Sequence, residues 1–254
     1  LKAEGVEALA VCFLFSYLNS DHEDRVGKII QARFPGMYTS LSSQVIPQIK
    51  EFDRLSTTVI NSYVGPVLGR YLENLQTRLT SYSQAGDFLI MQSNGGVAPI
   101  EDSSRLAVRS ILSGPAGGVS GAAAYGRLSG SANIIAFDMG GTSTDISLIE
   151  NGEPHMSTEK FEAGWKISVP MIDIHTMGAG GGSIASVGAG GIMQVGPKSA
   201  GALPGPASYS KGGELPTVTD ANLALGYLDA GNFLGGNAKL DRSLAETAVA
   251  EHVA

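Results

Sequence analysis

Cysteine is almost absent from this sequence: the single residue Cys12 lies in an apolar run. One thiol can form neither an internal disulfide framework nor a cysteine-based zinc site. Its apolar neighbours favour an inert core thiol over a catalytic nucleophile. The scarcity of cysteine indicates a reducing compartment, so we expect a cytoplasmic protein.

Positive charge and long apolar runs are also scarce. The sequence has 17 Lys and Arg against 24 Asp and Glu, a net charge of −7, and no basic cluster. Phosphate backbones are bound by such clusters, so nucleic acid is not an expected partner. The longest apolar run, Ala8–Leu14, is too short to cross a bilayer, and we expect a buried strand there and no membrane association.

Glycine, in contrast, is abundant: the sequence has 34 glycines, and most of them lie between Gly114 and Gly236 without a collagen-like period. The hydrophobic content of 43% is typical of a globular protein. Glycine costs backbone entropy on folding, so its retention indicates positive φ angles or a close approach of backbone to a ligand.

Apolar periodicity predicts the main strands and helices. The predicted strands are Glu7–Phe15, Asp87–Gln92, Asn133–Phe137, Ile146–Ile149 and Lys166–Ile174. The predicted helices are His22–Arg33, Glu51–Leu79 and Val119–Leu128, the last preceded by a glycine-rich segment, Ser113–Gly118. We expect Pro66 to kink or divide the second helix, because proline lacks the N–H that a helix interior needs. A glycine loop around a small helix is expected over 177–191, and Asn151-Gly152 is a hairpin turn signal.

The segment Phe137–Asp145 (FDMGGTSTD) carries the strongest chemical signal. A strand delivers Asp138 to its end, and Gly140 and Gly141 then allow a sharp turn in which consecutive N–H groups can face one anion. Hydroxyl groups follow, and Asp145 begins a returning strand. Two carboxylates beside a phosphate cradle favour a bound divalent cation, usually Mg²⁺. The predicted phosphate-binding residues are Gly140, Gly141, Thr142, Ser143 and Thr144, with Asp138 and Asp145 as catalytic and metal-binding residues.

The pattern of a strand, D-x-G-G-T and a returning strand resembles the phosphate loop of the actin, sugar kinase and heat-shock chaperone superfamily. The alternative is a plain hairpin with an acidic turn. That alternative does not explain two aspartates, two glycines and three hydroxyls within eight residues. No Walker A pattern is present.

A series of motifs extends the resemblance along the chain. These are MQSNGGV from Met91, SGPAGGV from Ser113, the phosphate-loop motif, DIHTMGAGGGSIA from Asp173 and PGPASYSKGGELPTVTDANLAL from Pro204. In this order they resemble the hydantoinase A/oxoprolinase family, and Glu51–Asn61 (EFDRLSTTVIN) is similar to the join of its N-terminal region. The resemblance implies ATP-dependent opening of a cyclic amide, in which ATP and Mg²⁺ phosphorylate the amide oxygen. It also implies an alternative, an ATP-dependent ketone carboxylase. A non-enzymatic alternative is a chaperone-like or activator ATPase that uses the phosphate loop as a switch.

The same resemblance implies an α/β fold of the actin-like, ribonuclease-H-like kind, with mixed sheets flanked by helices. Residues 1–130 would form the end of a first lobe with connecting helices, and 131–254 a second lobe with the phosphate loop. Family members have a first D-x-G-G-T loop that this sequence does not contain, so we interpret the chain as a fragment. Its expected partners are the remaining N- and C-terminal parts of the same protein, the cyclic-amide substrate and a hydantoinase B-type subunit. Ser208 stands where relatives often have cysteine.

Three further groups are candidates with open alternatives. Asp173 and His175 would share one face of a strand and hold a metal or a substrate group, or simply form a hydrogen-bonded pair at a loop entrance. Gly180, Gly181, Gly182 and Ser183 would bind phosphate or substrate at a helix N-terminus, or would only allow tight packing. Asp220 would face the site, or Thr219 or Asp220 would cap the following helix.

Overall fold

The computed structural model describes residues 2–82, 87–162 and 164–253. The chain forms two compact units. The first comprises Leu1–Ile134 and Ser147–Asp173, and the second comprises Ile135–Ile146 and Ile174–Ala254. Small sheets and helices make up a mixed α/β architecture, as predicted at that level. Within the described ranges, no helix has the length and apolar character needed to cross a membrane.

The described helices and strands have the following bounds. The helices are α1 (Asp21–Arg33), α2 (Ser42–Val45), α3 (Glu51–Tyr82), α4 (Ile100–Arg105), α5 (Ser113–Ser129), α6 (Val218–Ala224) and α7 (Arg242–His252). The strands are β1 (Ala8–Val11), β2 (Tyr38–Leu41), β3 (Leu89–Met91), β4 (Val97–Pro99), β5 (Ile134–Met139), β6 (Thr144–Glu150), β7 (Glu153–Pro154), β8 (Met156–Ser157), β9 (Lys160–Glu162), β10 (Trp165–Ile167), β11 (Met171–Ile172), β12 (His175–Met177), β13 (Ser183–Val187) and β14 (Met193–Ser199).

The first unit is organised around the 32-residue helix α3, which packs against the parallel pair β1–β2. Pro66 lies inside α3 without dividing it, so the predicted division is wrong, and a kink at Pro66 stays a prediction. The first predicted strand is also shorter than expected, since β1 ends at Val11 and is only half-buried. The apolar residues that follow it turn outward, and Leu14 is 74% exposed.

A buried polar network ties the start of α1 to α3. The Glu23 side chain is fully buried and accepts hydrogen bonds from Ser42 Oγ (2.6 Å) and from the N–H groups of Phe13 and Ser43 (2.8 Å each). Burial alone would raise the pKa of Glu23, but these donors outweigh it and hold the pKa below its ordinary value. Arg54, also fully buried, donates from Nε to Ser42 Oγ (3.2 Å).

Two segments of the first unit differ from prediction. Helix α5 begins at Ser113, so the glycine-rich segment expected before the helix forms its first turns. The strand predicted over Lys166–Ile174 is divided into β10 and β11, which pair with β9 and β8 respectively.

The Asn151-Gly152 turn is confirmed, since both residues have positive φ and the flanking strands β6 and β7 pair antiparallel.

The second unit contains most of β5, the first residues of β6, strand β12 paired with them, the β13–β14 hairpin and the helices α6 and α7. Leu223, Leu240 and Ala245 form its buried apolar cluster, with Tyr209 and Phe233 packed against it. The small helix expected within 177–191 is wrong, because this stretch forms β12, a glycine turn and the first strand of the hairpin.

Candidate functional site

The strongest sequence motif forms a tight turn between β5 and β6. The Gly140 N–H donates to the Ser143 carbonyl (2.9 Å) and closes the turn, so the predicted strand–turn–strand is confirmed. The N–H groups of Gly141, Thr142 and Ser143 have no acceptor among the described residues. Successive free amides at a turn form a concave site for an anion.

The two aspartates of the motif lie on neighbouring strands. Asp138 is exposed on β5, and Asp145 is half-buried on β6. Because the Gly140–Ser143 bond pairs those residues, we expect the antiparallel register to place Asp138 opposite Asp145, with both side chains on one face. Thr176 of β12 lies opposite Asp145 on its other side and donates from Oγ1 to Asp145 Oδ1 (2.6 Å). No sequence motif points to Thr176, because its contact with Asp145 depends on the register between β12 and β6.

The third hydroxyl of the motif faces inward. Thr144 is fully buried, and its hydroxyl donates to the Ala179 carbonyl. In this structure Thr144 therefore fixes the base of the turn against the glycine segment, while Thr142 lies exposed at the tip.

The glycine segment Gly180–Gly182 braces the turn through its backbone. The Gly181 N–H donates to the Gly140 carbonyl (2.9 Å) and the Gly182 N–H to the Gly141 carbonyl (2.7 Å). The Gly180 N–H donates to Ser183 Oγ (2.8 Å), and Ser183 is fully buried. Strand β13 follows this segment, so the expected helix N-terminus is wrong. All three glycine amides are thus engaged within the protein, and phosphate contact by this segment stays a prediction.

Close contact explains the run of glycines. A Cβ on Gly180 would stand 2.7 Å from the backbone nitrogens of Thr142 and Ser143. A Cβ on Gly182 would stand 2.9 Å from the Gly141 carbonyl oxygen. Backbone atoms cannot move aside as a flexible side chain can, so the segment has to remain glycine for the two turns to meet.

Asp173 and His175 do not share a strand as predicted. Asp173 precedes β12; its N–H donates to the His155 carbonyl (2.8 Å), and its own carbonyl accepts from Ser147 Oγ (2.7 Å). His175 is the first residue of β12, opposite Ile146, and is exposed. A ligand role for either residue stays a prediction.

The donor set of the turn suits magnesium together with a polyphosphate. In the part of the chain that the structure describes, no group of three or more His, Cys, Asp or Glu side chains is placed to hold a metal. Mg²⁺, however, commonly binds through one or two carboxylates, with water and substrate phosphate oxygens completing its octahedron. Asp138 and Asp145 beside the free amides fit that pattern.

Comparisons with known proteins agree with the motif series. A model of the hydantoinase/oxoprolinase family matches residues 54–254, and a model of the hydantoinase/oxoprolinase N-terminal region matches residues 1–34. The chain is 43% identical to caprolactamase subunit alpha of Pseudomonas jessenii, covering 100% of this chain and 36% of that subunit. It is 45% identical to 5-oxoprolinase of Saccharomyces cerevisiae, covering 90% of this chain and 17% of that protein.

Two solved structures are similar. The ATP-dependent caprolactamase from Pseudomonas jessenii superposes with a TM-score of 0.80 at 44% identity, covering 98% of this chain and 36% of that chain. A nucleotide-free acetone carboxylase superposes with a TM-score of 0.72 at 31% identity, covering 100% of this chain and 36% of that chain. The chain therefore spans about a third of the length of these two proteins.

Proposed function

This chain belongs to the hydantoinase/oxoprolinase family, and on that premise we propose that it is part of an ATP-dependent enzyme that opens a cyclic amide. The observation that carries the proposal is the turn at Gly140–Ser143, with three free amides beside Asp138 and Asp145. Two relatives are named for cyclic amides, caprolactam and 5-oxoproline, which supports this substrate class.

In the proposed nucleotide site, backbone amides and carboxylates have separate roles. The amides of Gly141, Thr142 and Ser143 would hold phosphate oxygens, and Asp138 and Asp145 would hold Mg²⁺ directly or through water. When bound, Mg²⁺-ATP supplies a phosphoryl group that turns the amide oxygen into a leaving group. The protein's own contribution is positioning and charge neutralisation, which dominate catalysis of phosphoryl transfer.

Thr176 assists by fixing the direction of the Asp145 carboxylate. Its hydroxyl donates to Oδ1, and Oδ2 would remain available to hold Mg²⁺ or a water molecule of its shell. The brace from Gly181 and Gly182 holds the turn in its anion-binding shape before the nucleotide arrives. Such preorganisation reduces the entropy lost on binding.

We propose that this turn is one of two phosphate loops in an actin-like ATPase fold. A second D-x-G-G-T loop, from a part of the protein outside residues 1–254, would close on the nucleotide from the opposite side. A further subunit is also proposed, because the Pseudomonas jessenii relative is itself named as a subunit.

An ATP-dependent carboxylase is the second candidate. The similarity to acetone carboxylase, at 31% identity over the whole chain, favours it specifically. Both reactions need the same phosphate turn, so the turn does not distinguish them.

Products of the full-length protein distinguish the two. In one set of assays the protein is incubated with Mg²⁺-ATP and a cyclic amide: 5-oxoproline, caprolactam or hydantoin. In the other set it is incubated with Mg²⁺-ATP, bicarbonate and a ketone, either acetone or acetophenone. We expect a ring-opened amino acid and phosphate from a cyclic amide. Asp138→Asn should abolish this turnover, whereas Asp21→Asn, at an exposed position in the first turn of α1, should not. Full activity of Asp138→Asn would remove Asp138 from the site, and carboxylated ketone as the product would favour the second candidate.

A further inference from the structure

Helix α6 begins with a complete capping box. Thr217 Oγ1 accepts from the Asp220 N–H (3.3 Å), and Asp220 Oδ2 accepts from the Thr217 N–H (2.9 Å). Asp220 therefore takes part in capping α6, as one prediction had it, but the N-cap residue is Thr217 and not Thr219 or Asp220. The box fixes the first turn of α6 without any contribution from the Thr219 side chain.

The Asp220 carboxylate also anchors a second segment. It is fully buried and accepts from the N–H groups of Ala207 (3.2 Å, to Oδ2) and Ser208 (2.8 Å, to Oδ1). The start of α6 is thus held from two sides and forms a rigid base.

Thr219 projects from this base to the glycine segment. Its N–H (2.8 Å) and its Oγ1 (2.9 Å) both donate to the Gly181 carbonyl. The N–H of the same Gly181 donates to the Gly140 carbonyl (2.9 Å) in the phosphate turn. A continuous hydrogen-bonded path therefore runs from Thr219 through Gly181 to Gly140.

We propose that Thr219 is a positioning residue for the nucleotide, acting through Gly181 on the phosphate turn. This inference rests on the proposed function. Thr219 would touch neither nucleotide nor substrate. Its two donors fix the direction of the Gly181 carbonyl, and the path to Gly140 carries that constraint to the free amides of the turn. A displacement of about 1 Å caused by a distant mutation can cost on the order of 100-fold in rate. Loss of the Thr219 hydroxyl would let the phosphate turn shift, and a shifted turn would hold ATP less well.

The test separates positioning from stability. Thr219→Val removes Oγ1 but keeps the N–H bond and the capping box, whereas Thr219→Ser keeps all of these groups. In the full-length protein we expect Thr219→Val to raise the KM for ATP about tenfold with the KM for the cyclic amide unchanged, and Thr219→Ser to behave like the wild type. Thr219→Ala repeats the test if the valine variant does not fold.

Thr58→Val is the matched control. Thr58 is fully buried and its hydroxyl donates only within α3, to the Arg54 carbonyl (2.6 Å), so its loss should lower thermal stability but leave the KM for ATP unchanged. A normal KM for ATP in both Thr219→Val and Thr219→Ala would overturn the inference. So would a Thr219→Ser variant as impaired as the valine variant. Failure of the wild type to bind Mg²⁺-ATP in calorimetry would instead overturn the proposed function.

Discussion

The α-carbon of Gly180 lies so close to Ser143 that a methyl group on it would stand 2.7 Å from the Ser143 backbone nitrogen. This contact joins the glycine segment to the one part of the phosphate turn whose amides are free. The fit between the two turns is therefore a matter of backbone against backbone.

Gly180→Ala should abolish nucleotide binding, because the added methyl pushes the Thr142 and Ser143 amides out of place. Gly178→Ala is the matched control, since a Cβ there meets nothing within 4 Å and its φ is not positive. Calorimetric titration of both full-length variants with Mg²⁺-ATP measures the difference. Equal affinities would show that the brace does not shape the site.

Two glycines of α3 should respond in opposite directions to alanine. A Cβ on Gly65 would overlap the Tyr38 ring, whose hydroxyl is fixed by donation to the Ser104 carbonyl (2.7 Å). We expect Gly65→Ala to destabilise the protein by about 1–3 kcal/mol through overpacking. Gly69→Ala, which meets nothing within 4 Å, should stabilise it by about 0.5–1 kcal/mol. Urea unfolding of both variants gives the two values, and a shared sign would contradict this account.

Removing the hydroxyl group of Ser208 should stabilise the protein. Its side chain is fully buried, and its Oγ has no hydrogen-bond partner within the described structure. An unsatisfied buried hydroxyl costs about 1–3 kcal/mol, so Ser208→Ala or Ser208→Cys should raise the melting temperature. Ser183→Ala should lower it, because Ser183 Oγ accepts from the Gly180 N–H. A lower melting temperature for both Ser208 variants would indicate a hidden partner.

Glu23 should give the protein a specific sensitivity to acid. A carboxyl whose pKa is lowered by folding adds stability that is fully present above its ordinary pKa of 4.5 and is lost as the pH falls through the lowered value. The free energy of unfolding of the wild type should therefore fall below about pH 4.5 more steeply than that of Glu23→Gln. Urea titrations at pH 7, 5, 4 and 3 measure both slopes. Parallel pH profiles would exclude Glu23 as a source of the sensitivity.

The structure confirms those predicted elements whose conformation is determined by neighbouring residues in the sequence. The turns at Gly140–Ser143 and Asn151-Gly152 were predicted correctly, because paired glycine or Asn-Gly between apolar strands forces a reversal locally. The order of motifs likewise identified the family. Pro66 alone does not predict where the helix ends, because the loss of one backbone donor does not stop α3 from continuing to Tyr82.

The predictions that failed depend on contacts distant in sequence. GAGGGS was expected to start a helix, yet its amides bond to Gly140 and Gly141, and no local pattern reports that pairing. For the same reason, no sequence pattern points to the contacts of Thr176 and Thr219. Their partners, Asp145 and Gly181, are set by strand register and by the placement of α6.

The brace on the phosphate turn also bears on protein synthesis. A hairpin turn can form once its two strands have left the ribosome. The carbonyls of Gly140 and Gly141, however, accept hydrogen bonds from Gly181 and Gly182, which are synthesised later. A nascent chain that stops at Glu150 has both strands and neither donor. The brace on the turn therefore forms only after β13 has emerged, and any gain in stability from a nucleotide bound to the braced turn follows that point in synthesis.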